Sequence, residues 1–336
     1  MKKVRSKMDS SAERKNPEIS VVIPMYNEEE NVKATLGKVK GILEGLDDHT
    51  WEILVVNDGS IDRTLELAEE MSKVDDRIRI VSYYPNIGRG RALRRGFDEA
   101  RGDIVVTTDA DLSYEAKYIG NLAKELIDNR GLDLVIGSPY MEGGGTTGVP
   151  FHRVLISRLG NKILGFSLAG NLKTTTGILR AYRKYVVDSL ELESDDKEIH
   201  LEILSKALAL GYEVKEIPAV LTGRVKGKSK FKFRATAISH LFFSFFEKPV
   251  LIFGLIGLLF LLLGLIGGIY IIILRYQGAL TPNRPLVTLV VLLILSGIQI
   301  LSFGFIGTQI VALRKEIYKV QKQYRLIREN LKSQRE

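Results

Sequence analysis

Apolar residues follow two alternating patterns over the N-terminal part of the chain. Short uninterrupted apolar runs, such as EISVVIPM, WEILVV, IRIVSYY, DIVVTT and DLVIGS, predict strands that are buried on both faces. Between them, segments such as NVKATLGKVKGILEGL and DRTLELAEEMSK repeat their apolar residues at helical spacing, and Ser60 is the expected N-cap of the second. This alternation predicts an α/β fold with a mostly parallel sheet covered by helices on both faces.

The C-terminal third of the chain differs, because two long runs contain no charged residue. The first extends from Val250 to Leu274 and the second from Leu286 to Leu313, with the loop RYQGALTPNRP between them. At about 1.5 Å per residue the first run makes roughly 37 Å of helix, which exceeds a hydrocarbon core of about 30 Å. A buried core helix is the alternative for either run. Two runs in succession predict a transmembrane hairpin.

Basic residues lie mostly on the two flanks of this hairpin. They crowd the segment before the first run and the tail after the second, whereas the loop carries Arg275 and Arg284. By the positive-inside rule, the large N-terminal part of the chain and both termini are expected in the cytoplasm. Residues 231–249, with clustered Phe, are expected to form an amphipathic helix in the membrane interface, and the basic residues 1–17 a disordered tail.

The tail after the second run has an apolar repeat of its own. Its apolar residues recur at spacings of three and four, as in a heptad seam, at Ile310, Leu313, Ile317, Val320, Tyr324, Ile327 and Leu331. This spacing predicts that residues 314–336 continue the second span as a helix. Self-association into a homo-oligomer is its expected use, and docking on the N-terminal α/β domain is the alternative.

Composition excludes several kinds of chemistry. The chain has no cysteine, so disulfides, thiolate metal sites and cysteine nucleophiles are excluded. It has four histidines and no HExxH motif, so a zinc enzyme is not expected. The formal charge of +8 is explained by basic segments against an anionic lipid leaflet, so a nucleic-acid partner is not predicted.

Polar side chains gather where the predicted strands end. Asn27 and Glu28 follow the first strand, Asn57 and Asp58 end the second, and Asp109 and Asp111 follow the fourth; these six positions are the candidate site. Each of them alone could be an ordinary turn former or helix cap. Because ligands bind beyond the carboxyl ends of strands in such sheets, their convergence on one edge indicates a binding site.

The candidate chemistry at this edge is the binding of a phosphate group through a metal ion. The glycine-rich segment NIGRGRALRRG lacks the third glycine of a dinucleotide fingerprint and does not follow the first strand, and no P-loop is present. Side chains two apart share a strand face, so Asp109 and Asp111 can point to one site if the strand continues through them. Such a pair suits Mg²⁺ or Mn²⁺ carrying a nucleotide diphosphate.

The motifs VVIPMYNE, VNDGSIDRT, GRGRALRRGFDEARGD, DADLS and RVKGKSK, in this order from about Ile19 to Lys230, resemble a known family. They are similar to inverting GT-A-fold glycosyltransferases of family 2, within them the polyprenyl-phosphate glycosyltransferases related to dolichol-phosphate mannose synthase. The resemblance implies a GT-A catalytic domain over residues 18–230, followed by the interfacial helix 231–249, the hairpin 250–313 and the cytoplasmic helix 314–336. Ser113 stands where close relatives of the mannose synthase often have Gln, and Pro139 where they commonly have Arg.

The resemblance also implies roles for individual residues. A pocket for base and ribose is implied at Pro24, Tyr26, Glu28 and Asp58, and metal and diphosphate binding at Asp109 and Asp111. Acceptor-phosphate contacts are implied at Arg153 and Ser157, and contacts over the phosphates at Arg224, Ser229 and Lys230. The residues expected to carry catalysis are Asp111, Arg153 and Arg224.

The implied reaction moves a hexose from a UDP- or GDP-sugar to polyprenyl phosphate. A phosphate acceptor is already ionised at neutral pH, so it needs positioning and charge relief rather than a strong base. Two alternatives stay open from the residues. One is transfer to a hydroxyl of a lipid-linked glycan, for which Glu202 is the candidate base, and the other is an inactive membrane scaffold.

Overall fold

The computed structural model describes residues 16–46, 48–167, 172–223, 249–278 and 285–333. These residues form two compact units. The first contains residues 16–154, 173–207 and 212–223 of the described chain, and the second contains the remainder, with both apolar helices. The predicted interfacial segment up to residue 248, nearly all of the predicted N-terminal tail, and Arg224, Ser229 and Lys230 lie outside the described residues.

The first unit is built on a seven-stranded sheet. Its strands in chain order are β1 (Ile19–Met25), β2 (Trp51–Asp58), β3 (Ile78–Tyr83), β4 (Ile104–Thr107), β5 (Leu134–Ser138), β7 (Arg180–Arg183) and β8 (Val214–Pro218). In space they follow the order β3-β2-β1-β4-β7-β5-β8, and β7 runs antiparallel to both of its neighbours. The short strands β6 (Gly145–Thr147) and β9 (Val220–Thr222) form a separate parallel pair.

Helices connect these strands. Their bounds are α1 (Val32–Glu44), α2 (Thr64–Val74), α3 (Arg89–Glu99), α4 (Lys117–Asp128), α5 (Phe151–Ser167), α6 (Lys184–Ser189) and α7 (Ile199–Ala209). Every residue of β2 and β4 is buried, as expected for central strands with helices on both faces. The predicted mostly parallel α/β sheet is therefore confirmed.

The expected N-cap of α2 is wrong. The helix begins at Thr64 after Arg63, which makes no side-chain capping bond. Ser60 instead lies before the helix, where its Oγ accepts a hydrogen bond from the Asn27 N–H at 3.0 Å. Ser60 is therefore bonded to the turn after β1 instead of to the helix that follows it. The spacing of residues along the chain does not show this contact between two turns.

The second unit contains α8 (Pro249–Tyr276) and α9 (Pro285–Ser333), both long and apolar enough to cross a membrane. Their backbones approach closely at two glycines. A Cβ added to Gly257 would lie 3.0 Å from the Gly297 carbonyl oxygen, and a Cβ added to Gly297 would lie 3.0 Å from the Gly257 carbonyl oxygen. Small residues at such contacts are typical of helix pairs that pack in lipid.

Candidate active site

The turns after β1 and β2 are bonded to each other at the carboxyl edge of the sheet. The Asn27 side-chain oxygen accepts from the Ile61 N–H at 2.9 Å, and the Glu28 N–H donates to Thr64 Oγ1 at 2.8 Å. Asn27 has a φ of 52°, a left-handed conformation that asparagine tolerates better than most residues. Asn27 therefore holds the turn that carries Glu28.

The residues predicted to bind base and ribose lie at these two strand ends. Pro24 lies in β1 and pairs in register with Val56 of β2, while Tyr26 directly follows the last residue of β1. Glu28 Oε2 accepts a hydrogen bond from the Asn31 side chain at 2.7 Å. The structure thus brings Pro24, Tyr26 and Glu28 to the same edge as the end of β2.

Asp58 is buried, with 3% of its surface exposed, and its carboxylate binds the loop that leads into α3. It accepts hydrogen bonds from the Ile87 N–H at 2.9 Å, the Gly88 N–H at 3.0 Å and the Asn86 side-chain amide at 2.6 Å. Burial raises the pKa of the neighbouring Tyr83 hydroxyl, and the Asp58 carboxylate adds to that shift. Asp58 therefore fixes the loop 86–88 beside the predicted nucleoside pocket, and its contact with the nucleoside stays a prediction.

Asp109 and Asp111 lie in a turn rather than on a strand. β4 ends at Thr107, and the Thr108 N–H still donates to the Val22 carbonyl at 3.3 Å. The chain then turns, because the Leu112 N–H bonds back to the Asp109 carbonyl at 3.2 Å. The condition under which strand geometry would aim both carboxylates the same way is not met, since the strand stops before them, and their use as one site stays a prediction.

This aspartate turn, residues 109–113, is held in place by two neighbouring elements and by hydrogen bonds within the turn. Thr35 Oγ1 of α1 donates to the Ala110 carbonyl at 2.5 Å. The Ser113 N–H and Oγ donate to Asp111 Oδ1 at 3.0 and 2.7 Å, and the Thr222 N–H of β9 donates to the Ser113 carbonyl at 2.7 Å. Leu112 has a φ of 48°, a conformation that costs a non-glycine residue about 1–2 kcal/mol. These hydrogen bonds therefore hold the turn in place despite the strained backbone of Leu112.

Arg89 is a functional candidate that the sequence analysis missed. Its Nη2 lies 3.1 Å from Asp109 Oδ1, and both side chains are partly exposed. Arg89 is the first residue of α3, and this helix begins at the carboxyl edge of the sheet because it follows β3 in a parallel crossover. The sequence signal that could have indicated Arg89 is its position as a basic residue at the start of the helix that follows β3.

The glycine-rich segment before and within α3 serves packing. A Cβ on Gly88 would lie 2.4 Å from the Asp195 carbonyl oxygen, and one on Gly90 would lie 2.4 Å from the Ser194 carbonyl oxygen. The Arg91 N–H donates to the Asp195 carbonyl at 3.1 Å. These glycines therefore let the segment 194–195 approach the helix backbone.

Glu202, the candidate base for a hydroxyl acceptor, is engaged in structural bonds. Its carboxylate accepts from the Glu193 and Ser194 N–H groups, both at 2.9 Å, and pairs with Lys206 Nζ at 2.7 Å. Burial by itself would raise the pKa of Glu202, but the bonds from Lys206 and Ser194 hold it below its usual value. A carboxylate with a lowered pKa and occupied oxygens is poorly suited to accept a proton.

The predicted acceptor-phosphate residues lie on α5. Arg153 is exposed in the first turn of this helix, where its N–H donates to the Pro150 carbonyl at 2.9 Å. Ser157 is partly buried one turn later, and its carbonyl accepts from the Asn161 side chain at 2.8 Å. Residues four apart share a helix face, so α5 places Arg153 and Ser157 on the same side.

A buried polar cluster behind the aspartate turn was also missed from the sequence. Arg180 is fully buried in β7 and donates to the carbonyls of Gly177, His200 and Thr175 at 2.8, 2.8 and 2.5 Å. His200 is 1% exposed, and neither of its ring nitrogens has a hydrogen-bond partner within the described part of the chain. Burial, and then the charges of Arg180 and Arg89, lower the pKa of His200 well below its usual value.

The two carboxylates of the aspartate turn fit a divalent cation whose other ligands come from substrate phosphate groups and water. Over residues 16–46, 48–167, 172–223, 249–278 and 285–333, no group of three or more His, Asp or Glu side chains is arranged to hold a metal. Mg²⁺ is commonly bound by one or two carboxylates together with phosphate oxygens and water. Asp109 and Asp111 supply that number and kind of ligand.

Comparison with known proteins identifies a family model and two relatives that are named as mannose transferases. A model of glycosyl transferase family 2 matches residues 20–190. The dolichol-phosphate mannosyltransferase of Pyrococcus furiosus is 37% identical over 216 residues, covering 64% of this chain and 59% of that protein. The polyprenol monophosphomannose synthase of Mycolicibacterium smegmatis is 32% identical over 229 residues, covering 66% and 84%. The chain thus spans less than two thirds of the length of the Pyrococcus relative.

One further relative and one solved structure extend the comparison. The putative glycosyltransferase CsbB of Bacillus subtilis is 28% identical over 303 residues, covering 87% of this chain and 86% of that protein, so the similarity reaches into the apolar helices. A crystal structure of glucosyl-3-phosphoglycerate synthase from Mycobacterium tuberculosis superposes with a TM-score of 0.53 at 21% identity, covering 69% and 80% of the two chains. At that identity the likeness concerns the fold.

Proposed function

The chain belongs to glycosyl transferase family 2, has the GT-A fold and is a glycosyltransferase, and from this premise we propose that it transfers a hexose to polyprenyl phosphate. The donor is a nucleotide-diphosphate sugar with uracil or guanine as its base, and the acceptor is a dolichyl- or undecaprenyl-type phosphate. The anomeric carbon is inverted. The names of the Pyrococcus and Mycolicibacterium relatives support this acceptor class.

The observation that carries the proposal is the position of the aspartate turn. It directly follows β4, which pairs with β1, so Asp109 and Asp111 lie next to the strand end that carries Pro24 and Tyr26. A donor whose nucleoside occupies the edge of β1 and β2 would extend its diphosphate toward the aspartates. Glu28 and Asp58 complete the proposed nucleoside pocket.

A divalent metal, Mg²⁺ or Mn²⁺, is proposed at Asp109 and Asp111. Structures of the mycobacterial fold neighbour were obtained with Mn²⁺ and UDP, which supports a metal in this kind of site. When bound, such a cation neutralises negative charge on the departing diphosphate. The chain's contribution is to hold both carboxylates in a turn that Thr35 and Ser113 fix before substrate arrives.

The acceptor is proposed to bind through charged groups that position its phosphate. Arg153 and Ser157 are assigned to that phosphate, and Arg224 and Lys230 to the phosphates of donor and acceptor. The phosphate oxygen attacks the anomeric carbon, and the nucleotide diphosphate leaves from the opposite side. Because the acceptor is already an anion, no side chain has to remove a proton from it, which agrees with the structural bonding of Glu202.

A membrane location is proposed from the two apolar helices. In this arrangement α8 and α9 cross the bilayer, residues 18–230 form the catalytic domain, and residues 231–249 lie in the interface. The catalytic domain and both termini are in the cytoplasm, as the distribution of Lys and Arg supports. We also propose a homo-oligomer and no nucleic-acid partner.

A panel of donors tests the proposal. Purified full-length protein is incubated with UDP- and GDP-hexoses, with and without polyprenyl phosphate, and radiolabelled lipid product is extracted and counted. The proposal predicts that at least one donor gives lipid-linked hexose, and only in the presence of polyprenyl phosphate and a divalent cation. Product that forms equally well in excess EDTA would contradict the metal assignment, and no lipid product from any donor would contradict the acceptor assignment.

A further inference from the structure

The end of α9 is a charged segment that continues the second apolar helix without a break. After Leu313 the helix includes Arg314, Lys315 and a series of further charged residues before it ends at Ser333. At about 1.5 Å per residue this part is roughly 30 Å long. A helix that continues straight from a membrane span leads away from the bilayer, so lipid does not cover this segment.

An apolar stripe along the end of this helix, which we call the tail seam, is not covered by the rest of the described chain, and from Ile317 onward it lies beyond the uncharged run. Its six described residues are 55–66% exposed and comprise Ile310, Leu313, Ile317, Val320, Tyr324 and Ile327. The charged side chains of Lys319 and Glu316 on the same helix are 53% and 67% exposed. The apolar stripe is thus as open as the charged face, which is unusual for a water-facing helix with a fixed apolar period.

The spacing of the tail seam is that of a coiled coil. Its residues follow one another at intervals of three, four, three, four and three, so they occupy the a and d positions of successive heptads. An apolar seam with only two residues in each heptad is narrower than the apolar stripe by which a helix packs on a globular domain. The seam therefore matches another helix better than it matches the surface of a catalytic domain.

We infer that the tail seam pairs with the same seam of a second copy of this chain, as a parallel, in-register coiled coil. The parallel direction and the register rest on the membrane insertion proposed above, because two copies inserted in one orientation carry their seams at the same height. The flanking residues permit this pairing. Glu316 would face the uncharged Gln321 of the second copy, so no like charges meet at this pair.

Single cysteines test the pairing without background, because the chain contains no cysteine. Val320→Cys places a thiol in the seam, and the matched control Lys319→Cys places one at a neighbouring position outside it that is also more than half exposed. Each full-length variant is oxidised in native membranes, and disulfide-linked product is read on a non-reducing gel. A homotypic disulfide needs the same residue of two copies within about 7 Å, measured between Cα atoms, so it reports a parallel, in-register contact.

We expect Val320→Cys to cross-link at least ten times more than Lys319→Cys. Equal or absent cross-linking of both, with the chain retained in carbonate-washed membranes, overturns the pairing and leaves docking within one chain as the use of the seam. A second measurement is the protein mass in detergent, where Val320→Glu with Tyr324→Glu is expected to convert an oligomer to single copies. A wild-type mass of one copy would also overturn the inference. Hexose transfer measured in the same membranes reports separately on the proposed function.

Discussion

The two carboxylates of the aspartate turn are held in different ways. Asp109 pairs with the partly exposed Arg89 at 3.1 Å, an ion pair of a kind that contributes about 0–1 kcal/mol and is easily exchanged. Asp111 accepts two hydrogen bonds from Ser113 of the same turn, which fix its orientation. In our account Asp111 is therefore already oriented to bind the metal, whereas Asp109 must first separate from the Arg89 guanidinium.

Replacing Asp111 with Asn should remove nearly all transfer activity while the protein stays folded. The amide keeps the shape of the side chain but removes the negative charge, so we expect transfer to fall by about 10²-fold or more. Transfer is measured with saturating donor, and thermal unfolding is measured in parallel. Asp128→Asn, at the exposed end of α4, is the matched control and should keep its activity. Full activity of Asp111→Asn would refute its assigned role.

Replacing Arg89 with Gln should tighten metal binding in the absence of donor. Without the guanidinium, the Asp109 carboxylate loses its competing cation, and we expect Mn²⁺ to bind about five-fold more tightly, the equivalent of about 1 kcal/mol. Electron paramagnetic resonance of free Mn²⁺ measures this affinity without catalysis. Arg95→Gln, exposed on the same helix, is the control. An unchanged or weaker affinity in Arg89→Gln would show that Arg89 does not compete with the metal.

At the scale of elements, the order of strands and helices could be predicted from apolar spacing, but the turns could not. The run DIVVTT gave the position of β4, yet nothing in it marked Thr107 as the end of the strand. Likewise Ser60 was expected to cap α2, and its partner is the Asn27 N–H from another turn. Contacts between turns depend on which strands are neighbours, and that information is absent from local sequence.

Replacing Gly90 with Ala should destabilise the first unit. The added Cβ would lie 2.4 Å from the Ser194 carbonyl oxygen, a backbone atom that cannot rotate away, so we expect a loss of about 1–3 kcal/mol. Gly37→Ala is the matched control, because its Cβ would meet nothing within 4 Å inside α1. That change should stabilise the protein by about 0.5–1 kcal/mol. Thermal unfolding of both variants decides the matter, and equal shifts would contradict the packing role of Gly90.

The buried His200 should make stability depend on pH. Its pKa is lowered in the folded state by burial, so below about pH 6.5 the unfolded chain binds a proton that the folded chain does not. Stability is therefore complete above about pH 7 and should fall by up to about 1.4 kcal/mol for each pH unit below about 6.5.

His200→Leu should lose this dependence between about pH 5 and 7, whereas His49→Gln should keep it. His49 is a suitable comparison because it pairs with Glu18 near the surface rather than lying in the core. The midpoint of thermal unfolding across this range is the measurement. The same slope in His200→Leu as in the original protein would assign the pH dependence to other groups.

At the scale of the whole molecule, the proposed substrates explain why a sheet-based catalytic unit is joined to two long apolar helices. A polyprenyl chain cannot leave the bilayer, so its phosphate must be met at the membrane surface. Helices α8 and α9 would hold the enzyme at that surface, and the expected basic segment from Arg224 would lie against its anionic lipids. The charge of the acceptor is then both its means of recognition and its source of reactivity.

Comparing two acceptors that differ only in the phosphate tests this central claim most directly. Purified protein receives the donor found active in the panel, with either polyprenyl phosphate or the corresponding polyprenol at equal concentration in the same detergent. Our account predicts rapid transfer to the phosphate and transfer to the alcohol that is slower by about 10³-fold or more, because the candidate base Glu202 is held in structural bonds and the alcohol brings no charge of its own. Equal rates for the two acceptors would contradict it, since the charge of the acceptor would then play no part in the reaction.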